Sequence, residues 1–493
     1  MTAAEDAAGP RDAEFLRLPG LRRHLAAIER DLGNGFTCLW LLPSPLVERV
    51  EADLYVDELC STLNNVVEIP CAGTGDYSAP APASSWQTSA GWYDDGPGDG
   101  LLDDYDDGLG DPPWLNGGYT PTVVPKPAHS QTRSTLEERL SKRLGVAGDP
   151  VEYLTAPESP GGAPIILIRA WQEEDDAGVA RLLRRLTAAV KGSGLAPGRR
   201  PRLLVAARLH DLTVDAPESL DAAFGRVHWW WSVWGRLDTA TVIADAVVGN
   251  PSAGGPGTPA KRILGALLAE TVSEISGPDM WMALRLAAAW DGRLSSLRST
   301  LSGLSSAGGR VVAQPTWSPV AGHAAAAYGS VPGQPLRSQW SAGLLDSWEG
   351  QLRPSVPLWI GSPSAQNQLD KLVWQSQNRV LLPLIDDARA EFTGRLPRFA
   401  AQGIKHLHHL YRDRYATVAD LDSMELGDIW SGVNQGFIRM NGTQYNRLKV
   451  LRDARNELAH RRPLDDRSLD STVRVLTQPA DDQAGPPRRA EAL

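Results

Sequence analysis

Short apolar runs alternating with helical patterns constrain the first 300 residues more than any other feature of the chain. Residues 36–42, 164–168 and 202–208 are each apolar for most of their length, without the polar alternation of a half-exposed strand. Runs of this kind suit strands covered on both faces of a sheet. Residues 66–69 form a shorter candidate strand. Helical spacing fills the intervals: Phe15, Leu16, Leu21, Leu25 and Ile28 mark one side of a helix over 13–33. Further helices are expected over 46–63, over 134–144 and from about 176 to Val190. Gly33-Asn34-Gly35, Pro43-Ser44-Pro45 and Gly192-Ser193-Gly194 punctuate the elements. Strands joined through helices predict βα units and a mainly parallel sheet. Residues 227–234 read as a strand or a buried helical turn, which periodicity alone does not separate. Residues 237–248 and 260–289 read as helices.

Composition divides the chain further. Over 72–132 Gly, Pro, Ser and Asp dominate, and a disordered acidic insertion is expected. Its clustered carboxylates lack the spacing of a calcium loop. The α/β domain is set at 13–304, a linker rich in Gly, Ser, Ala and Pro at 305–356, an all-α domain at 357–465 and a disordered tail at 466–493. In the all-α part, helices are expected over 365–392, 404–415 and 445–461, with Pro383 as a kink or break. The fold class is therefore α/β plus all-α, a parallel-sheet domain followed by a C-terminal helical bundle.

Of the 493 residues, 42% are hydrophobic and 22% charged, the balance of a soluble globular protein, and the net charge of -10 argues against a general nucleic-acid coat or a membrane-surface binder. No apolar run reaches the ~18–20 residues that span a bilayer, and the N-terminus lacks the pattern of a signal peptide. Cys38, Cys60 and Cys71 are sparse and without metal-ligand spacing. A cytoplasmic location, no membrane partner, no metal and no cofactor are expected.

The order of helices and strands resembles a STAND- or AAA-type P-loop NTPase core. In that comparison residues 36–42 are the first strand and Pro43-Ser44-Pro45 occupies the phosphate-loop position. The loop offers no glycine, no Lys and no backbone N–H at either proline, all unsuited to cradling phosphates. Glu173-Glu174-Asp175-Asp176 falls several residues beyond the end of its strand, where a metal-binding carboxylate is expected. Arg208 ends a strand resembling a sensor strand and reads equally as a surface residue. The resemblance implies a degenerate, inactive P-loop-like sensing domain.

Near the C-terminus the chain reads Arg452-Asp453-Ala454-Arg455-Asn456-Glu457-Leu458-Ala459-His460, then Arg461-Arg462-Pro463. Leu448, Leu451 and Leu458 recur at helical spacing, with Arg455 expected on the same stripe between Leu451 and Leu458. His460 lies about 140° around the helix from Arg455, and Asn456 is its i−4 neighbour. This motif resembles that of the HEPN superfamily, helical domains that often act as metal-independent ribonucleases. The resemblance implies Arg455, Asn456 and His460 as catalytic residues. The ribose 2′-hydroxyl attacks the adjacent phosphate, His460 moves a proton, and Arg455 stabilises the developing charge. Lys449, Arg452, Arg461 and Arg462 are assigned to RNA backbone binding. It further implies a homodimer through the helical domain, which brings two motifs into one cleft.

The plainer reading of the motif pairs Arg455 with a buried acid and makes His460 a helix cap. His406-Leu407-His408-His409 reads as a surface helix, and Trp229-Trp230-Trp231 as buried core or interface rather than a base-stacking platform. The expectation is an endoribonuclease effector resembling those of bacterial antiphage or toxin systems, with RNA as substrate and a protein partner or trigger. The alternative is a non-enzymatic adaptor that uses both domains for protein assembly.

Overall fold

The computed structural model describes residues 12–71, 134–156, 163–213, 216–249, 258–307 and 331–478. The expected acidic insertion, the first part of the expected linker and the last residues of the tail lie outside them.

Five parallel strands form one sheet in the order β2-β3-β4-β1-β5: β1 Thr37–Leu41, β2 Val66–Glu68, β3 Ile165–Arg169, β4 Arg202–Ala207 and β5 Gly225–Trp229. Leu39 of β1 stands opposite Val205 of β4 on one side and Val227 of β5 on the other. All five β1 residues are buried, as an interior strand covered on both faces requires. The parallel α/β expectation is met, and residues 227–229 are strand.

Helices α1 Pro19–Gly33, α2 Glu51–Thr62, α3 Leu136–Leu144 and α4 Asp176–Ser193 belong to this α/β part. Leu21, Ile28 and Leu32 of α1 are fully buried. The start of α1 is tied down by Asp238, whose carboxylate accepts the Gly20 N–H at 3.0 Å and the Gly235 N–H at 2.8 Å. A Cβ at Gly20 would meet the Val233 carbonyl oxygen at 2.3 Å, so the approach needs glycine. The helix expected over 46–63 is interrupted at Val50, whose φ of 66° separates α2 from the short turn Ser44–Glu48.

Helices α5 Arg236–Gly249, α6 Pro259–Ser276, α7 Met280–Ala289 and α8 Leu294–Ala307 follow. The single helix expected over 260–289 is two. Gly277, with φ of 55°, ends α6, and the Asp279 side chain accepts the Met282 N–H at 2.9 Å to start α7.

The expected linker over 305–356 is shorter than its composition suggests. Strands β6 Leu345–Trp348 and β7 Gln351–Pro354 form an antiparallel hairpin. Its turn residues, Glu349 and Gly350, both have positive φ, the geometry of a tight two-residue hairpin. Trp340, Leu345, Trp348 and Val356 are buried. Gly, Ser and Pro content hid these anchors, because the apolar residues are few and large.

Helix α9, Ala365–Gly394, has 30 residues, roughly 45 Å of helix. Pro383 lies inside it without ending it. Ala365, Leu369, Leu372 and Val373 pack into the core of the sheet domain. Leu381, Ile385, Ala388 and Phe392 belong to a second, all-helical core. The division between the two cores therefore falls inside this helix, between Val373 and Leu381, rather than at 357. The second core is completed by α10 Ile404–Tyr411, α11 Leu426–Asn434, α12 Gly442–Ala459 and α13 Asp466–Thr477. The tail expected from 466 onward is ordered through α13: Asp465 caps it through the Ser468 N–H at 2.7 Å, and Leu469, Thr472, Val473 and Val475 are buried. Its apolar residues are widely spaced among polar ones, which made it read as solvated.

Candidate functional site

Where the sheet's C-terminal edge meets the hairpin and α7 there is a cleft of about 710 Å³. Pro43, Pro45 and Leu46, just past β1, form part of its wall. The loop assigned to the phosphate-binding position is closed by packing: Pro45 and Leu46 are buried. Arg169, at the end of β3, is held by Asp53 at 2.6 Å, Asp57 at 2.5 Å and Glu68 at 2.8 Å. Glu173 pairs with Arg139. Arg208 donates to both oxygens of Asp211. The residues at the strand ends are thus engaged with one another.

The cleft is rich in tryptophan and in charge. Trp230, Trp234 and Trp340 are almost wholly buried along its wall. Glu51 accepts from Tyr55 Oη at 3.2 Å and from Trp281 Nε1, with Arg49 at 3.5 Å. Burial pushes its carboxyl up to about 7 against the pull of Arg49. Asp346 accepts the backbone N–H groups of Ser232 at 3.0 Å and Ser347 at 2.7 Å, and burial pushes it up to about 7 as well. Sequence reasoning missed this site because its walls come from β1, β5, α7 and the hairpin, hundreds of residues apart. Only the density of Trp between 229 and 234 hinted at it.

The C-terminal motif sits on α12, whose N-terminus carries a capping box between Asn441 and Gln444. Arg447, Leu448, Leu451, Ala454 and Leu458 form its buried stripe. Trp374 of α9 donates to the Leu458 carbonyl at 2.7 Å and fixes the end of the helix. Arg455 lies at the edge of that stripe, half-exposed, with Nη2 3.3 Å from Glu425 Oε2. Its partner is an exposed acid rather than the buried one of the plainer reading. Arg455 also lines a second cleft, of about 460 Å³, with Arg379, Arg389 and Asn378 of α9.

Asn456 and His460 are exposed. His460 is the C-cap, its backbone N–H donating to the carbonyls of Asn456 at 3.0 Å and Glu457 at 3.1 Å. Its ring has no hydrogen-bond partner among the described residues. The contact between Asn456 and its i+4 neighbour His460 is this backbone bond. Arg461, with φ of 60°, turns the chain and lies 6.0 Å over Trp374. Arg462 is 3.9 Å from Glu457, Lys449 is exposed, and Arg452 pairs with Asp453 at 3.0 Å while stacking 4.0 Å over Trp430. One chain therefore gathers Arg455 with Arg379 and Arg389, and places His460 with Arg461 and Arg462 beyond that cleft.

Neighbouring His residues of α10 diverge: His408 Nε2 is 3.0 Å from the Tyr415 carbonyl, while His409 is exposed. Among the described residues no group of three or more His, Cys, Asp or Glu is placed to hold a metal ion, and no helix is long and apolar enough to cross a membrane. The chain matches no family model, curated protein or solved structure.

Proposed function

We propose that the chain is a HEPN-like, metal-independent endoribonuclease whose reactive residues lie at the C-terminal end of α12. One observation carries the reading: Leu448, Leu451, Ala454 and Leu458 do the packing, while Asn456 and His460 face solvent. In the reaction the ribose 2′-hydroxyl gives its proton to solvent water, its oxygen bonds to the adjacent phosphorus, and the P–O5′ bond breaks. The products are a 2′,3′-cyclic phosphate and a 5′-hydroxyl. His460 delivers a proton to the departing 5′-oxygen. Arg455 stabilises charge on the phosphorane. Lys449, Arg461 and Arg462 hold the flanking phosphates. Arg455 and His460 diverge on one helix, so a second copy completes the site, the motifs of a homodimer facing each other.

The parallel order 2-3-4-1-5, with β1 in the interior and the Pro43–Pro45 segment at its C-terminal end, supports a degenerate P-loop-like sensing domain. Control of a ribonuclease by such a domain fits an effector of a bacterial conflict system triggered by a partner. The Arg455–Glu425 ion pair favours the other reading, a non-enzymatic adaptor in which Arg455 is structural. Expression of the full chain in a bacterial host separates the two. Growth arrest with RNA fragmentation, lost in Arg455→Ala and His460→Ala, supports the nuclease; equal growth of all three chains supports the adaptor.

A further inference from the structure

The cleft at the sheet's C-terminal edge holds a concentration of unsatisfied donors. Ser276, Ser305, Ser355 and Arg353 line it, and the three Oγ atoms and Arg353 Nε are shielded from solvent with no hydrogen-bond partner among the described residues. Ser276 is only 5% exposed. Buried polar groups are rarely left unpaired unless a ligand or ordered water completes them. Arg285 of α7 lines the same cleft, half-buried, with no ion-pair partner among the described residues.

Four acids also line the cleft: Glu51 accepts from Tyr55 and Trp281, Asp346 from two backbone N–H groups and Asp279 from the Met282 N–H, while Glu48 is exposed. The shielded groups without a partner are one guanidinium Nε–H and three hydroxyls, and Arg285 belongs to the same lining. The remaining walls are broad and apolar, formed by Trp230, Trp234, Trp281 and Trp340. A volume of about 710 Å³ suits a small organic molecule.

We propose that this cleft binds a small organic oxyanion. Its carboxylate or phosphate head meets Arg285, Arg353 Nε and the hydroxyls of Ser276, Ser305 and Ser355. Its planar apolar body lies against the tryptophans. A planar guanidinium grips either head with paired N–H bonds. Arg353 Nη2 serves Glu274 while its Nε is spare, so joining the head group costs no existing bond. The site stands apart from α12 and does not depend on the ribonuclease reading.

The test is calorimetric titration of the full chain with 2-naphthoate, 2-naphthyl phosphate and the neutral 2-naphthylmethanol. Saturable one-to-one binding of at least one anion is expected, about tenfold or more tighter than the neutral analogue. The tighter anion identifies the head group. Arg285→Gln should weaken it about tenfold and Ser276→Ala severalfold, with unfolding midpoints unchanged. Ser355→Ala serves as the second variant if either protein folds poorly. Absence of saturable binding by both anions, equal affinity for the neutral compound, or full affinity in the folded variants would overturn the proposal.

Discussion

Glu274 of α6 and Arg379 of α9 form an ion pair where the sheet domain meets the long helix, and the Glu274 side chain is almost wholly buried there. Arg236 and Arg353 reach the same carboxylate, Glu270 takes Arg236 at 2.5 Å and Arg379 at 2.9 Å, and Trp348 lies between Arg236 and Arg353 at 4.7 and 4.9 Å. The network thus links helix α5, the hairpin and α9. Arg353 lines the first cleft and Arg379 the second, so Glu274 is the shared anchor of both.

Removing that anchor leaves guanidinium groups without their counter-charge. Glu274→Gln is expected to cost about 3 kcal/mol in urea unfolding. Burial alone would raise the Glu274 carboxyl, but Arg353, Arg379 and Arg236 outweigh it and hold it at about 2. Its ordinary value is 4.5, so its contribution is full above pH 4.5 and is lost as pH falls toward 2. The difference between wild type and Glu274→Gln should narrow over that window. A constant difference would contradict the assignment.

Glu51 behaves in the opposite sense. Burial lifts its carboxyl from 4.5 to about 7, so it favours the folded state fully below pH 4.5 and loses that contribution as pH rises through 7. Glu51→Gln keeps an acceptor for Trp281, can donate its amide N–H to the Tyr55 hydroxyl, and removes the charge. It should be more stable than wild type at pH 8 by roughly 2 kcal/mol and lose the advantage at pH 4. Denaturant unfolding at the two pH values checks this.

His24 is buried between the rings of Trp40 and Trp230, with centroids 5.8 and 5.6 Å away. Burial, reinforced by His228 and Arg23, lowers it from 6.5 to about 3. It stays neutral in the fold while the unfolded chain protonates below pH 6.5. Its contribution is full above pH 6.5 and falls as pH drops toward 3, by about 2 kcal/mol between pH 7.5 and pH 5. His24→Phe should flatten that part of the stability profile.

Helix α13 closes the second core, with Leu469, Val473 and Val475 buried. A chain ending at residue 465 should unfold at lower urea concentration than the full chain, and Val473→Ala should lower the midpoint by a smaller amount, about 1–2 kcal/mol. Unchanged midpoints would mean that the helix adds nothing to the bundle.

The parallel sheet was legible because strands buried on both faces are apolar along nearly their whole length, as in residues 38–41 and 165–168. The long helix after Ala365 was legible from Leu369, Leu372 and Val373. Its role was not, because one periodic stripe does not say that its two halves serve different cores. The hairpin around Glu349-Gly350 escaped notice since its strands are four residues each. The motif residues could be placed on a helix from sequence, with Leu448, Leu451 and Leu458 inward. The pairing of Arg455 with Glu425, 30 residues earlier, required α11 to be packed against α12. The tryptophan-walled cleft depends on chain segments whose meeting no local pattern encodes.

The most direct test of the ribonuclease is the chemistry of the ends it leaves. Purified full chain, with excess EDTA and a long single-stranded RNA, should produce fragments ending in 2′,3′-cyclic phosphate with 5′-hydroxyl partners. His460→Ala and Arg455→Ala, folded like wild type, should reduce the rate at least a hundredfold. Intact RNA after prolonged incubation with the wild-type chain, or equal cleavage by the variants, would contradict the account and leave the C-terminal helices as a scaffold.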